Sequence, residues 1–146
     1  MLKVLKLNKD NINDYIDIIH KYEESVFNDE AYSKELLLNS IIGYDNIDIL
    51  LDDKTLIGYI IYRYVDVIHL LKIFIDDKFK GNGYAKLLLD NMIENSNGIN
   101  KVYLEVRKNN ISAIRFYEKN NFQIIDTKKN YYINPNDDAL IMVKND

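Results

Sequence analysis

Apolar and polar positions change period along this chain in a way that marks each element. Leu2 to Leu7 reads as a first strand. Ile12, Tyr15, Ile16 and Ile19 then recur at helical spacing, with Asp10 or Asn11 placed to cap the helix start. A second short helix is predicted over Ser33 to Ser40, with Leu36 and Leu37 turned inward. Ile47 to Leu51 and Leu56 to Tyr64 read as strands flanking Asp52-Asp53-Lys54, a hairpin turn. Val67 to Ile75 is the next strand, but its alternation breaks at Lys72, which falls among apolar residues of the same parity. A β-bulge there would restore the pattern.

Ala85, Leu88, Leu89, Met92 and Ile93 form an i, i+3, i+4, i+7, i+8 stripe, the signature of a helix with one buried face. It stops in Asn95-Ser96-Asn97-Gly98. Val102 to Val106 reads as a strand, and Asn110 caps a helix running to about Asn120. Closing strands cover Phe122 to Tyr131 and Ala139 to Lys144. The order β-α-α-β-β-β-α-β-α-β-β predicts an α/β sandwich in which helices cover a mixed sheet.

At 146 residues, with 47% apolar and 29% charged positions and no linker or repeat, the chain is expected to form one soluble domain. Cysteine is absent, which removes disulfides, thiolate zinc sites and a cysteine nucleophile. Two separated histidines, His20 and His69, argue against a metal site and are read as structural. The formal charge of −4 and the lack of a basic block argue against nucleic acid and suit a cationic partner. No apolar run reaches membrane-spanning length and Met1 leads directly into a strand, so no membrane association is expected and the expected location is cytoplasmic.

The richest local feature is Lys80-Gly81-Asn82-Gly83-Tyr84-Ala85-Lys86, which lies between a strand and the start of an amphipathic helix. Glycines allow close approach of the backbone, and the free N–H groups of a first helical turn, at the positive end of its dipole, attract anions. A phosphate is the natural guest, and a plain turn is the alternative. Two of the five glycines fall in this loop, and Lys80 and Lys86 flank them.

Lys80-x-x-Gly83-x-Ala85 resembles the Gln/Arg-x-x-Gly-x-Gly/Ala signature of the GNAT family of N-acetyltransferases. Leu104-Glu105-Val106-Arg107-x-x-Asn110-x-x-Ala113-x-x-x-Tyr117-Glu118, followed by Phe122, resembles the second half of that fold. Asn130-Tyr131-Tyr132 and Asp138-Ala139-Leu140-Ile141-Met142 are similar to the branch that acetylates ribosomal-protein N-terminal alanine, and suggest that Tyr131 and Tyr132 border a peptide groove. The resemblance spans Ile68 to Met142.

It implies a GNAT fold whose two central parallel strands splay apart, with acetyl-CoA as cosubstrate. Ile73, Phe74 and Ile75 would offer backbone groups to the pantetheine arm. Lys80 and the amides of Gly81, Asn82, Gly83, Tyr84, Ala85 and Lys86 would hold the pyrophosphate, and Asn110 would add a cofactor contact beside its capping role. Glu105 is implied as general base, with partial burial raising its pKa, and Tyr117 as general acid. Asn121 stands where the family often has glycine, and asparagine tolerates the left-handed conformation needed there.

The implied acceptor is a protein N-terminal α-amine. A small polyamine, amino acid or aminoglycoside is the alternative, because Phe27-Asn28-Asp29-Glu30-Ala31-Tyr32-Ser33 lacks the tryptophan that relatives carry in this segment. A non-catalytic acyl-CoA-binding module is a third possibility. Glu23, Glu24, Asp29 and Glu30 read as a solvated acidic face or as an attractor for a cationic amine.

Overall fold

The computed structural model describes residues 1–145. Its strands are β1 (Leu2–Lys6), β2 (Asn46–Asp52), β3 (Thr55–Tyr64), β4 (Ile68–Ile75), β5 (Val102–Arg107), β6 (Gln123–Tyr132) and β7 (Asp137–Lys144). They form one sheet in the order β1-β2-β3-β4-β5-β7-β6. Every neighbouring pair is antiparallel except β4 and β5. The helices are α1 (Ile16–Val26), α2 (Lys34–Ile42), α3 (Tyr84–Glu94) and α4 (Ile111–Lys119).

Strand alternation sends side chains to two faces, so one sheet supports two cores. On one face Ile47, Ile49, Tyr59 and Ile61 meet Ile12, Ile16 and Ile19 from the α1 region and Leu37 of α2. On the other, Ile60, Leu70, Leu104 and Met142 meet Leu88, Leu89 and Met92 of α3 and Ile114 and Tyr117 of α4. The predicted order of elements, the mixed sheet and the stripe on α3 all hold.

Three local expectations are corrected. Leu36 is 45% exposed while Leu37 is fully buried, because α2 turns only a narrow stripe inward and its Ser40 sits one turn from Leu37. The first helix starts later than predicted, after a 3₁₀ turn over Ile12–Asp14. Asn11 does hold the N-cap position of that turn, but its side chain makes no cap bond; the Asn8 carboxamide instead accepts from the Asp10 and Asn11 amides at 2.8 and 3.0 Å. Glu23 is not part of a solvated face, being fully buried at the sheet.

The bulge inferred from Lys72 is present. Ile61 pairs with Lys72 and Tyr62 with Leu70, which leaves Leu71 as the extra residue. Ile68 and Leu70 face α3 and α4, whereas Leu71 and Phe74 pack in the core beside α1 and α2. The extra residue reverses the parity of everything after it.

Gly58 of β3 lies opposite Ile75. A Cβ there would fall 2.2 Å from the Phe74 carbonyl oxygen, so only glycine lets β3 approach the end of β4 this closely.

Candidate active site

β4 and β5 are in register only at Ile68 with Val102 and His69 with Tyr103. Beyond those two rungs the strands part, and the edge of β4 facing β5 has no sheet partner from Leu70 onward. A cleft of about 1030 Å³ passes through this gap. Its walls include Tyr22 and Phe27 from the α1 side, Ile73, Phe74 and Ile75 of β4, and Asn110, Ala113 and Tyr117 of the α4 region. The mouth is formed by Lys80, Gly81, Gly83, Tyr84, Ala85 and Lys86.

At that mouth Gly81 and Gly83 have φ of 84° and 77°, in the left-handed region that glycine occupies without strain. Gly83 is the N-cap of α3 and no side chain caps the helix, so the free amides of its first turn lie at the cleft mouth. A Cβ at either glycine would meet open space, as expected of a cradle that another molecule fills. Asn82 is not part of the lining; its side-chain amide donates to the Phe79 carbonyl at 2.9 Å and braces the loop. The flanking lysines are already engaged, Lys80 with Asp77 at 2.7 Å and Lys86 with Asp90 at 2.6 Å. What this loop offers an anion is therefore mainly backbone. An unpaired strand edge, a long cleft and an uncapped helix start together fit a pantetheine arm ending in a pyrophosphate.

Glu105 lies outside the cleft lining, on the opposite sheet face from Leu104 and Val106. Its Oε1 is 2.8 Å from His69 Nε2, and its Oε2 accepts from the Tyr131 hydroxyl at 3.1 Å. A carboxylate only accepts, so Nε2 carries the hydrogen. A neutral ring then accepts at Nδ1 from the Tyr103 hydroxyl, 3.0 Å away, and the two rings stack at 4.2 Å.

These contacts overturn one expectation. The Glu105 carboxyl is held below its ordinary range, because the His69 hydrogen bond outweighs the desolvation that alone would raise it. Glu105 is thus an ionised acceptor at neutral pH. Sequence reasoning set His69 aside. The available signal was parity: His69 alternates with Ile68 and Leu70 as Glu105 alternates with Leu104 and Val106, and neighbouring parallel strands put both on one face.

Tyr117 is 7% exposed, packs against Phe116 and Phe122, and lines the cleft from the face opposite Glu105. Burial alone pushes its phenol well above the usual tyrosine range, so it stays protonated. Asn110 caps α4 by accepting from the Ala113 amide at 3.2 Å and also lines the cleft. Asn121 has φ of 70° and ends the turn after α4, as expected.

The Acetyltransferase (GNAT) family matches residues 12–122. This chain belongs to the GNAT family. The ribosomal protein bS18-alanine N-acetyltransferase of Haemophilus ducreyi is 33% identical over 117 residues, covering 76% of this chain and 81% of that protein. The spermidine N(1)-acetyltransferase of Thermoplasma acidophilum is 35% identical over 112 residues, 71% of this chain and 70% of the other. Among solved structures, the ribosomal-protein-S18-alanine N-acetyltransferase of Escherichia coli superposes with a TM-score of 0.82 at 22% identity, over 99% of this chain and 93% of that one. The chain is an N-acetyltransferase, and its acyl donor is acetyl-CoA.

Proposed function

We propose that the acceptor is the α-amine of a protein N-terminus, with a small first residue such as alanine, and that Glu105 and Tyr117 serve as base and acid. The observation that carries this reading is the hydrogen bond between Glu105 and Tyr131. It joins the strand carboxylate to the Asn130-Tyr131-Tyr132 segment, the part of the chain that resembles the ribosomal-protein branch. Electrostatics favour the same acceptor. A carboxylate with a depressed pKa is a weak base, and an α-ammonium near pKa 8 yields its proton to it more easily than a lysine near 10.4.

Acetyl-CoA supplies an activated acetyl carbonyl. The unpaired amides of β4 around Ile73 to Ile75 are suited to hold its oxygen as negative charge develops there. Glu105 receives the proton of the attacking amine on one face of the sheet, directly or through water. Tyr117 returns one to sulfur from the other. The gap between β4 and β5 is where both can reach the same atoms, which explains why base and acid sit on opposite faces. Gly81 to Lys86 hold the pyrophosphate, with Asn82 acting through the loop's shape. Among the described residues no helix is long and apolar enough to cross a membrane, and a cytoplasmic setting belongs to this reading.

A second reading, acetylation of a small polyamine, draws on the spermidine acetyltransferase relative and on the tryptophan-free segment between α1 and α2. Tandem mass spectrometry separates the two. Peptides with a free alanine N-terminus and an internal lysine are incubated with enzyme and acetyl-CoA beside spermidine and free amino acids. N-terminal acetylation, lost when the terminus is blocked, is the expected product. Lysine-only modification, or turnover of small amines with none of the peptides, removes the α-amine reading.

A further inference from the structure

Lys72 plays no part in the chemistry above, yet its side chain is only 10% exposed and is paired with a Glu23 side chain that is not exposed at all. The bulge in β4 puts it there by turning Leu71 and the next residue toward the α1 side. Its ammonium contacts the Glu23 carboxylate and donates to the Glu30 carbonyl at 2.6 Å. It also lies 4.0 Å from the centre of the Phe27 ring and 4.4 Å from that of Tyr32. Glu23 in turn accepts from the Tyr59 hydroxyl and, at 3.0 Å, from the Tyr32 amide.

All but one of these partners belong to α1 or to residues 27–32, the connection between α1 and α2. The middle of that connection has no core packing of its own, since Asn28, Asp29 and Glu30 are exposed and form a 3₁₀ turn with no buried residue, while its ends are held by Phe27 against Phe74 and by His20 at the Tyr32 carbonyl. Its outer contacts are the Glu30 carboxylate with Arg107 at 2.8 Å and Asp29 with Asn134 at 2.7 Å. Arg107 lies two residues beyond Glu105 on the same face of β5, so this connection runs beside the Glu105 carboxylate.

A buried ion pair is poorly explained as a source of stability, because desolvating both ions consumes most of their attraction. Removing one partner is costly all the same, since it strands the other. What such a pair supplies is geometry. We propose that Glu23 and Lys72 are positioning residues that fix residues 28–32, the part of the connection beyond the cleft-lining Phe27, as one wall of the acceptor site, and so set acceptor affinity far more than donor affinity. The same bulge that re-aims Lys72 lies at the start of the unpaired edge of β4, so the acceptor wall is pinned to the strand that faces the donor. This rests on the reading of the Glu105 face as the acceptor side.

Lys72→Met keeps an apolar stem over Phe27 and Tyr32 and removes the charge. The expected result is an acceptor KM raised on the order of tenfold, with kcat at saturating acceptor little changed and acetyl-CoA affinity by calorimetry within about twofold of the parent. In hydrogen exchange, the Tyr32 amide should lose protection while the amides of β2 and β3 keep theirs. An acceptor KM equal to the parent's, or a parallel loss of acetyl-CoA affinity, would overturn the proposal. Should Lys72→Met fail to fold, Glu23→Gln combined with Lys72→Met removes both buried charges together. That variant should fold and bind acetyl-CoA like the parent yet keep the raised acceptor KM, because the Glu30 carbonyl has still lost its donor. A normal acceptor KM there would equally overturn it. If the parent acetylates small amines and no peptide, the α-amine reading fails, and the same KM comparison on those amines decides the role of the pair.

Discussion

His69 Nε2, from the last paired rung of β4 and β5, and Glu105 Oε1, two residues past that rung on β5, lie 2.8 Å apart. The bond ties the carboxylate to the point where the sheet opens, and it sets the sign of a pH effect. Glu105 has a folded pKa below its unfolded one. Its contribution to stability is therefore complete above the unfolded value and is lost as pH falls through the folded value. The advantage of the parent over Glu105→Gln in thermal melts should hold from neutrality down to the ordinary glutamate range and shrink as pH falls below it. A difference in Tm that stays constant across that window would show that the His69 bond does not hold the carboxyl down.

Tyr117 has a different relation to its surroundings. Burial alone shifts its phenol, so Tyr117→Phe removes a hydroxyl without breaking a hydrogen bond on which the fold depends. Folding should be near normal, and kcat at saturating acetyl-CoA should fall by about 10²–10⁴-fold, as should that of Glu105→Gln. Parent-like turnover by both variants on the true acceptor would make these residues structural.

The elements were legible because each rests on a period that burial enforces, and the bulge was legible because Lys72 broke one. The glycine loop was legible because its residues carry backbone conformations that few others adopt. What stayed hidden depends on pairing between distant strands. The fall in the Glu105 pKa needs His69 from β4 and Tyr131 from β6, which lie 36 and 26 residues away. The role of Glu23 needs Lys72, 49 residues on: Glu23 falls on the inward stripe of Ile16 and Ile19, which sets it apart from exposed Glu24, but nothing local supplies the partner of a buried carboxylate. Leu36 was misjudged because the stripe on α2 is too narrow for adjacent leucines to share it.

Gly83 caps α3 with a left-handed backbone and open space around it. Gly83→Glu would strain that φ by about 1–3 kcal/mol and place a carboxylate where the first-turn amides look for an anion. Acetyl-CoA binding should be lost by calorimetry while the circular dichroism spectrum remains that of the parent. Undiminished affinity in the folded variant would move the pyrophosphate site elsewhere.

The last prediction concerns Gly58, which lies outside the cleft lining. Its hydrogen stands where a Cβ would meet the Phe74 carbonyl oxygen at 2.2 Å and the Ile75 side chain at 2.7 Å. Backbone cannot yield as a flexible side chain can, so Gly58→Ala must push β3 away from β4, at a cost of about 1–3 kcal/mol. The displaced residues, Phe74 and Ile75, are the ones whose backbone lines the cleft in the gap. Gly58→Ala should therefore weaken acetyl-CoA binding as well as lower Tm. Gly43→Ala, on a turn remote from the cleft and with its nearest contact at 3.3 Å, should leave affinity untouched. Measuring Tm and acetyl-CoA affinity on both variants separates a local displacement of β4 from general loss of stability. If Gly58→Ala keeps full affinity despite a lower Tm, the end of β4 does not position the donor.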